Sequence, residues 1–174
     1  MSKIFVDQIE PKTTNGTIKF GHKPYIVLGR LSATQSSLAN NSMTKILFNH
    51  SVIDTDNAFD TANYRYLPSQ HGYYEINVQT HATAGSGTNL YHMVRIRKND
   101  ADIDTAHLGE GISAINSVGS GGGYMVSANT IVELNGSTDY INFYHYHYDY
   151  TATTTVNLDI QNGNYFTAKL LKDL

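Results

Sequence analysis

Apolar and polar residues alternate along much of this chain with a period of two, the signature of β-strands that bury one face. Within Tyr73–Thr80 the side chains of Tyr74, Ile76 and Val78 fall on one face, and Glu75, Asn77 and Gln79 on the other. Leu90, His92, Val94 and Ile96 share a face in the next such segment, and Thr83 to Asn89 between them reads as a hairpin loop. Tyr25–Leu28 and, apart from its leading Lys45, Lys45–Phe48 are buried-type runs typical of strands covered on both sides. Asn63–Leu67 predicts a strand stopped by Pro68. Further strands are predicted over Tyr124–Leu134, Asp139–Asp149, Val156–Ile160 and Asn164–Leu171, with Asn135-Gly136 and Asn162-Gly163 as turns. Ser36–Ser42 reads as loop and residues 99–123 as mostly loop. Strong helix formers never cluster, and no internal repeat is visible. The pattern therefore predicts an all-β antiparallel sandwich, a jelly roll of the ten-strand type. Its core is expected to hold Tyr74, Ile76, Val78, Ile141, Phe143 and Phe166.

Residues 1–24 follow a different pattern. Ile4, Phe5, Val6 and Ile9 precede Pro11, and Asn15-Gly16 leads into Thr17–Phe20, so two short strands around a turn are expected. A hairpin of that size does not stand alone and must dock on its own domain, a neighbouring subunit or a host particle. It is read as an anchoring segment, 1–24, ahead of a main domain over 25–174, with Ile4, Phe5, Val6 and Ile9 as the anchor residues. Asp7 and the lack of a long apolar stretch argue against a signal peptide.

Composition narrows the function classes. A chain of 174 residues can bury a sizeable core without covalent staples. Zero cysteines exclude a disulfide scaffold, thiol catalysis and cysteine-based zinc sites. A net charge of −3 provides no general grip on nucleic acid or anionic membrane, and no apolar run is long enough to span a bilayer. Charged residues make up 16%, against roughly 25% in an average domain. With 13 tyrosines, that low charge suits a protein that hides part of its surface in an assembly.

The block from Phe59 to Val78 carries an aromatic residue, a short turn, a strand closing in Pro68, and then Gly72-Tyr73-Tyr74 opening the next strand. It resembles the globular head of complement C1q and the wider TNF-like jelly rolls. Three later blocks are similar to that family in the same order: Tyr124–Leu134, Asp139–Phe143 and the closing Asn164–Leu171. The sequence departs from the family at Thr167 and Ala168, where a glycine is usual, and at the polar Glu75, Asn77 and Gln79, where apolar residues are frequent. The resemblance implies a compact homotrimer that binds partners and is not an enzyme. The chain itself offers a surface for such a trimer. In Tyr140–Tyr148, Ile141, Phe143, His145 and His147 share one face, while Tyr140, Asn142, Tyr144, Tyr146 and Tyr148 share the other. A tyrosine stripe packed around a threefold axis would escape solvent. Tyr140, Tyr144, Tyr146 and Tyr148, with Tyr165 and Asn77, are therefore the expected trimer interface. A solvent-facing tyrosine ladder and a ligand platform remain alternatives.

Lys3–Thr13 followed by Gly16-Thr17-Ile18 is similar to the opening of many bacteriophage virion proteins, especially fibre and tail components. That second resemblance implies a phage structural protein, assembled in the bacterial host cytoplasm and located in the virion. Its partners would be itself and other virion proteins, the latter through residues 1–24. A trimeric fibre or spike knob would present loops to a host-surface glycan or protein, from among Ser36–Ser42, Thr83–Asn89, Asp100–Gly111 and Thr151–Thr154. A capsid decoration or cement protein and a free lectin-like module are the competing readings.

Candidate chemistry is sparse. His145 and His147 lie about 7 Å apart on one strand face. In a trimer such pairs would offer six imidazole nitrogens to a transition metal, whereas as a pair beside Phe143 they read as hydrogen-bonded core or rim residues. Asp100, Asp102 and Asp104 imitate the start of a calcium loop, but Thr105 and Gly111 stand where an EF-hand needs Gly and Glu. Solvated loop carboxylates, or a looser calcium site, are the readings left. Gly119–Gly123 lacks the Lys-Ser/Thr of a phosphate loop. Arg95 and Arg97 share a face and are expected to pair with acids or line a subunit contact. No base can be placed beside a nucleophile, so neither an enzyme nor a required cofactor is expected.

Overall fold

The computed structural model describes residues 25–84, 87–104, 106–118, 123–150, 155–160 and 163–174. In chain order its strands are β1 Ile26–Arg30, β2 Gln35–Leu38, β3 Thr44–Lys45, β4 His50–Asp54, β5 Phe59–Asp60, β6 Arg65–Tyr66 and β7 His71–Ala84, then β8 Gly87–Lys98, β9 Ala101–Asp102, β10 Glu110–Val118, β11 Gly123–Asn135, β12 Ile141–Asp149, β13 Val156–Leu158 and β14 Tyr165–Asp173. They form two antiparallel sheets. In the first, β4, β1, β14, β7 and β11 lie side by side, and β13 and β2 continue from the far end of β7. The second runs β10-β8-β12-β6-β5, with β3 on β12 and β9 on β8. First and last strands are neighbours, and the chain crosses repeatedly between the sheets, from β6 to β7 to β8 and from β10 to β11 to β12 to β13, as in a jelly roll.

The period-two pattern explains the layering. β11 buries every second residue from Tyr124 to Leu134, and β7 does the same from Gly72 to Ala82. The two strands pair from Gly123 opposite Thr83 to Asn135 opposite His71, so two half-buried strands present one continuous inner face. Tyr74, Ile76, Val78, Ile141, Phe143 and Phe166 all lie in the core. Phe143 and Phe166 rings sit 4.6 Å apart between centroids, with Phe48 5.3 Å and Phe59 5.0 Å from Phe166. Burying each such ring contributes about 1.5–3 kcal/mol. Gly29 is small because the Phe166 ring passes over it, with Phe59 only 2.8 Å from where a Cβ would stand. The Asn135-Gly136 turn forms as expected: Gly136 has φ +70, and the Asn135 side-chain oxygen accepts from the amides of Ser137, Thr138 and Asp139.

Several elements differ from the sequence reading. Residues 99–123 hold a full strand, β10, paired with β8 from Glu110 opposite Arg95 to Val118 opposite Gly87. Its Gly, Ser and Ala positions left no apolar stripe to read, because it is an edge strand. At Gly111 it runs against the backbone of Ser127 and Ala128 on β11, where a side chain would not fit. Ser36–Ser42 is not all loop, since β2 pairs with β13 and buries Leu38. Lys45–Phe48 is a strand only at β3; Ile46 and Phe48 reach the core from irregular backbone, held by the Ile46 amide donating to Phe143 O at 2.8 Å. Only Arg65–Tyr66 of the predicted Asn63–Leu67 strand is extended, after a turn with Tyr64 at φ 56. The expected anchor residues Ile4, Phe5, Val6 and Ile9, the loop Thr151–Thr154 and most of Gly119–Gly123 lie outside the described residues.

Candidate functional site

The outer faces of the two sheets are built differently, and that difference separates the candidate residues. On the second sheet, β12 turns Tyr144, Tyr146 and Tyr148 outward, beside Tyr140 at its start. These tyrosines are tied to their own protomer. The Asp100 carboxylate accepts from Tyr140 Oη at 2.8 Å, from Tyr144 Oη at 2.6 Å and from the buried Asn142 side-chain amide. The hydrogen bonds from Tyr144, Tyr140 and Asn142 hold Asp100 below the usual carboxylate range. Burial, then the bond to Asp100, raises the Tyr144 hydroxyl to about 12. Arg97 lies over the Tyr144 ring and Arg65 over the Tyr140 ring. Tyr146 donates to Asn41 Oδ1 at 2.7 Å and stands edge-on to Tyr91, while Tyr148 stands edge-on to Tyr150. The basic cluster is ion-paired as well, Arg95 with Asp102 and Glu110 and Arg97 with Asp102, with the buried Arg95 Nε left without a hydrogen-bond partner among the described residues.

The outer face of the first sheet carries a larger set of exposed apolar side chains without such ties. The ladder registers set it out in rows: Ser127, Gln79, Tyr165 and Arg30; then Asn129, Asn77, Thr167 and Leu28; then Ile131, Glu75, Lys169 and Ile26. Met125 is 56% exposed and Ile131 60%, and Tyr73, Tyr165, Ile26 and Leu171 are also exposed. The middle row is uncharged. A recess of about 490 Å³ between Leu28, Arg30, His50, Val52 and Tyr165 opens on the same side. The six residues expected to form one trimer interface are thus divided between the two sheets. Tyr165 and Asn77 lie on this face, and Tyr140, Tyr144, Tyr146 and Tyr148 on the opposite side of the sandwich.

The candidate metal ligands do not converge. Asp100 is occupied by tyrosines, Asp102 by Arg95 and Arg97, and Asp104 by the amides of Ala106 and Leu108. His145 and His147 point into the interior of the protomer, fully buried, and His92 of β8 joins them there. Among the described residues no group of three or more His, Asp or Glu side chains is arranged to hold a metal ion. His92 was not singled out from the sequence, although its alternation with Val94 and Ile96 placed it on the buried face.

With the sandwich and its two faces in view, the molecule falls into a structural class: an all-β jelly roll of the TNF and complement-head type. No family profile and no curated protein sequence matches the chain. Among solved structures it is similar to the globular domain of zebrafish complement 1qA protein, with a TM-score of 0.56 and 12% identity, over 87% of this chain and 100% of that one. It is also similar to Eiger TNF from S. frugiperda, with a TM-score of 0.61 and 12% identity, over 88% of this chain and 96% of that one. Murine APRIL gives a TM-score of 0.58 at 13% identity, over 86% of this chain and 100% of that one. At these identities the likeness is one of fold.

Proposed function

We propose that this protein is a homotrimeric binding module whose copies meet through the outer face of the first sheet. The observation that carries this reading is the contrast between the two faces. One satisfies its tyrosines and charges within the protomer; the other leaves Met125, Ile131, Tyr73 and Tyr165 bare around an uncharged middle row. Exposed apolar side chains on one face of a low-charge protein favour a partner surface, and the fold shared with TNF and complement-head domains makes a second and third copy the natural occupants. Binding would then fall to loops and to the second sheet, which stays outward. Three weak sites on one particle raise avidity by orders of magnitude without a new contact.

Within that class the reading is a phage virion protein: residues 1–24 fasten the knob to the particle, and the knob contacts a host-surface glycan or protein. The support is the likeness of Lys3–Thr13 to virion-protein openings, together with a knob fold that begins directly after the segment. Light scattering tests the assembly, with a mass near three times 19.3 kDa expected and a stable monomer at micromolar concentration overturning it. Co-sedimentation with particles, with and without residues 1–24, tests the anchoring. Loss of sedimentation with the trimer intact supports it, and a truncated chain that still sediments rejects it.

A further inference from the structure

Three histidines fill a place in the core that apolar residues normally occupy. His92 on β8 and His147 on β12 are register partners, and His145 lies two residues away on the same inward face; all three are fully buried. Their ring centroids form a near-equilateral triangle with sides of 5.4, 5.8 and 5.9 Å. His92 Nδ1 is 3.2 Å from His145 Nε2, one hydrogen bond that a single proton satisfies when both rings are neutral. His92 Nε2 and His145 Nδ1 have no hydrogen-bond partner among the described residues. From the opposite sheet Tyr124 of β11 stacks on His92 at 4.2 Å, so the cluster joins the two layers.

Among the described residues the groups that act on these two rings are each other and His147, and no carboxylate pairs with either. β7 sends in Thr80 and Ala82, β10 places Ser113 opposite His92, and β3 places Thr44 opposite His145. The titratable neighbours are His147 and the buried Asp149 on β12 and Tyr124 on β11, and burial followed by the charge of Asp149 raises the Tyr124 hydroxyl to about 12. Asp149 is not among the groups that act on His92 or His145.

We propose that the His92–His145–His147 cluster is an acid-operated latch between the two sheets. With His92 and His145 neutral the cluster packs as core and holds the layers together; a proton taken up by either of these two rings places a cation between the layers that no carboxylate among the described residues pairs with, and favours separation at this end of the sandwich. Burial, then the neighbouring His147, holds His92 down to about 4, and burial, then His92 and His147, holds His145 well below its ordinary 6.5. The sign follows. An opened state takes up protons near 6.5 and the closed state only near 4, so the closed state is favoured above 6.5 and loses ground as pH falls between those values. For His92 alone, the open-to-closed ratio rises about 30-fold between pH 7.5 and 5.0.

Hydrogen exchange on the full chain at pH 7.5 and 5.0, corrected for intrinsic amide rates, tests this. The expected result is at least about a 30-fold rise in opening of β8, β11 and β12 at pH 5.0, reduced in His92→Leu. Unchanged exchange in these strands, or a His92→Leu protein as acid-sensitive as the native one, overturns the latch. If His92→Leu does not fold, imidazole nitrogen shifts of the native protein decide: His92 and His145 neutral at pH 5.0 in the closed state support it, and either ring titrating near 6.5 there rejects it.

Discussion

Replacing Ile131 with Asp separates the two faces of the sandwich by experiment. Ile131 stands on the outer face of β11, 60% exposed in the protomer, with Glu75 of β7 opposite it in the ladder. Full burial of an isoleucine side chain contributes about 1.5–3 kcal/mol, so covering the exposed three-fifths contributes about 1–2 kcal/mol per copy. Over three copies the loss is about 3–6 kcal/mol, before the cost of desolvating a new carboxylate beside Glu75. At about 1.4 kcal/mol per factor of ten, assembly weakens by roughly 100-fold to 10,000-fold. Ile112 is the matched control: the same residue type, 55% exposed, but on β10 of the second sheet. Light scattering across a micromolar concentration series should show Ile131→Asp falling to single-chain mass and Ile112→Asp keeping the native mass, with circular dichroism confirming that both fold. Equal behaviour of the two variants, in either direction, would refute the assignment of the assembly face.

Other consequences follow from the packing. The bond between Asp100 and Tyr144 should appear in a double-mutant cycle of Asp100→Asn and Tyr144→Phe as a coupling of about 1 kcal/mol, a charge-assisted bond weakened by solvent exposure, read from urea midpoints; a coupling near zero would mean the tyrosine face is not tied down by that carboxylate. Phe166→Ala, which empties the contact shared by Phe48, Phe59 and Phe143, should cost about 3–5 kcal/mol with an unchanged denaturant slope. Gly136→Ala should cost more than about 1–2 kcal/mol in the same assay, because φ +70 is a left-handed conformation and an added Cβ would collide with the His71 amide nitrogen. Asp60, Asp100, Asp102 and Asp139 are all held below the ordinary carboxylate value of 3.8, so the stability they contribute is present above that value and lost as pH falls beneath it. Urea midpoints should therefore fall in two separate pH windows, the upper one belonging to the histidines, and Asp100→Asn should shrink only the lower.

Strict alternation in β7, β11 and β12 determined which side chains share a face, because in an extended chain that follows from the backbone alone. The core residues Tyr74, Ile76, Phe143 and Phe166 and the Asn135-Gly136 turn were legible for the same local reason. Strand β10 was not, since an edge strand closed at Gly111 against a neighbouring backbone needs no apolar stripe. Nor could one strand show what would cover its outward face. Asp100, forty-four residues before Tyr144, turns a tyrosine stripe into a self-contained network, while the alignment of β11, β7 and β14 assembles exposed Met125, Ile131 and Tyr165 on the other side. His92 lies fifty-three residues before His145 and meets it through the pairing of β8 with β12. Local geometry assigns a side chain to a face, whereas only the packing of the two layers decides whether that face meets core, solvent or a charge carried by a distant part of the chain.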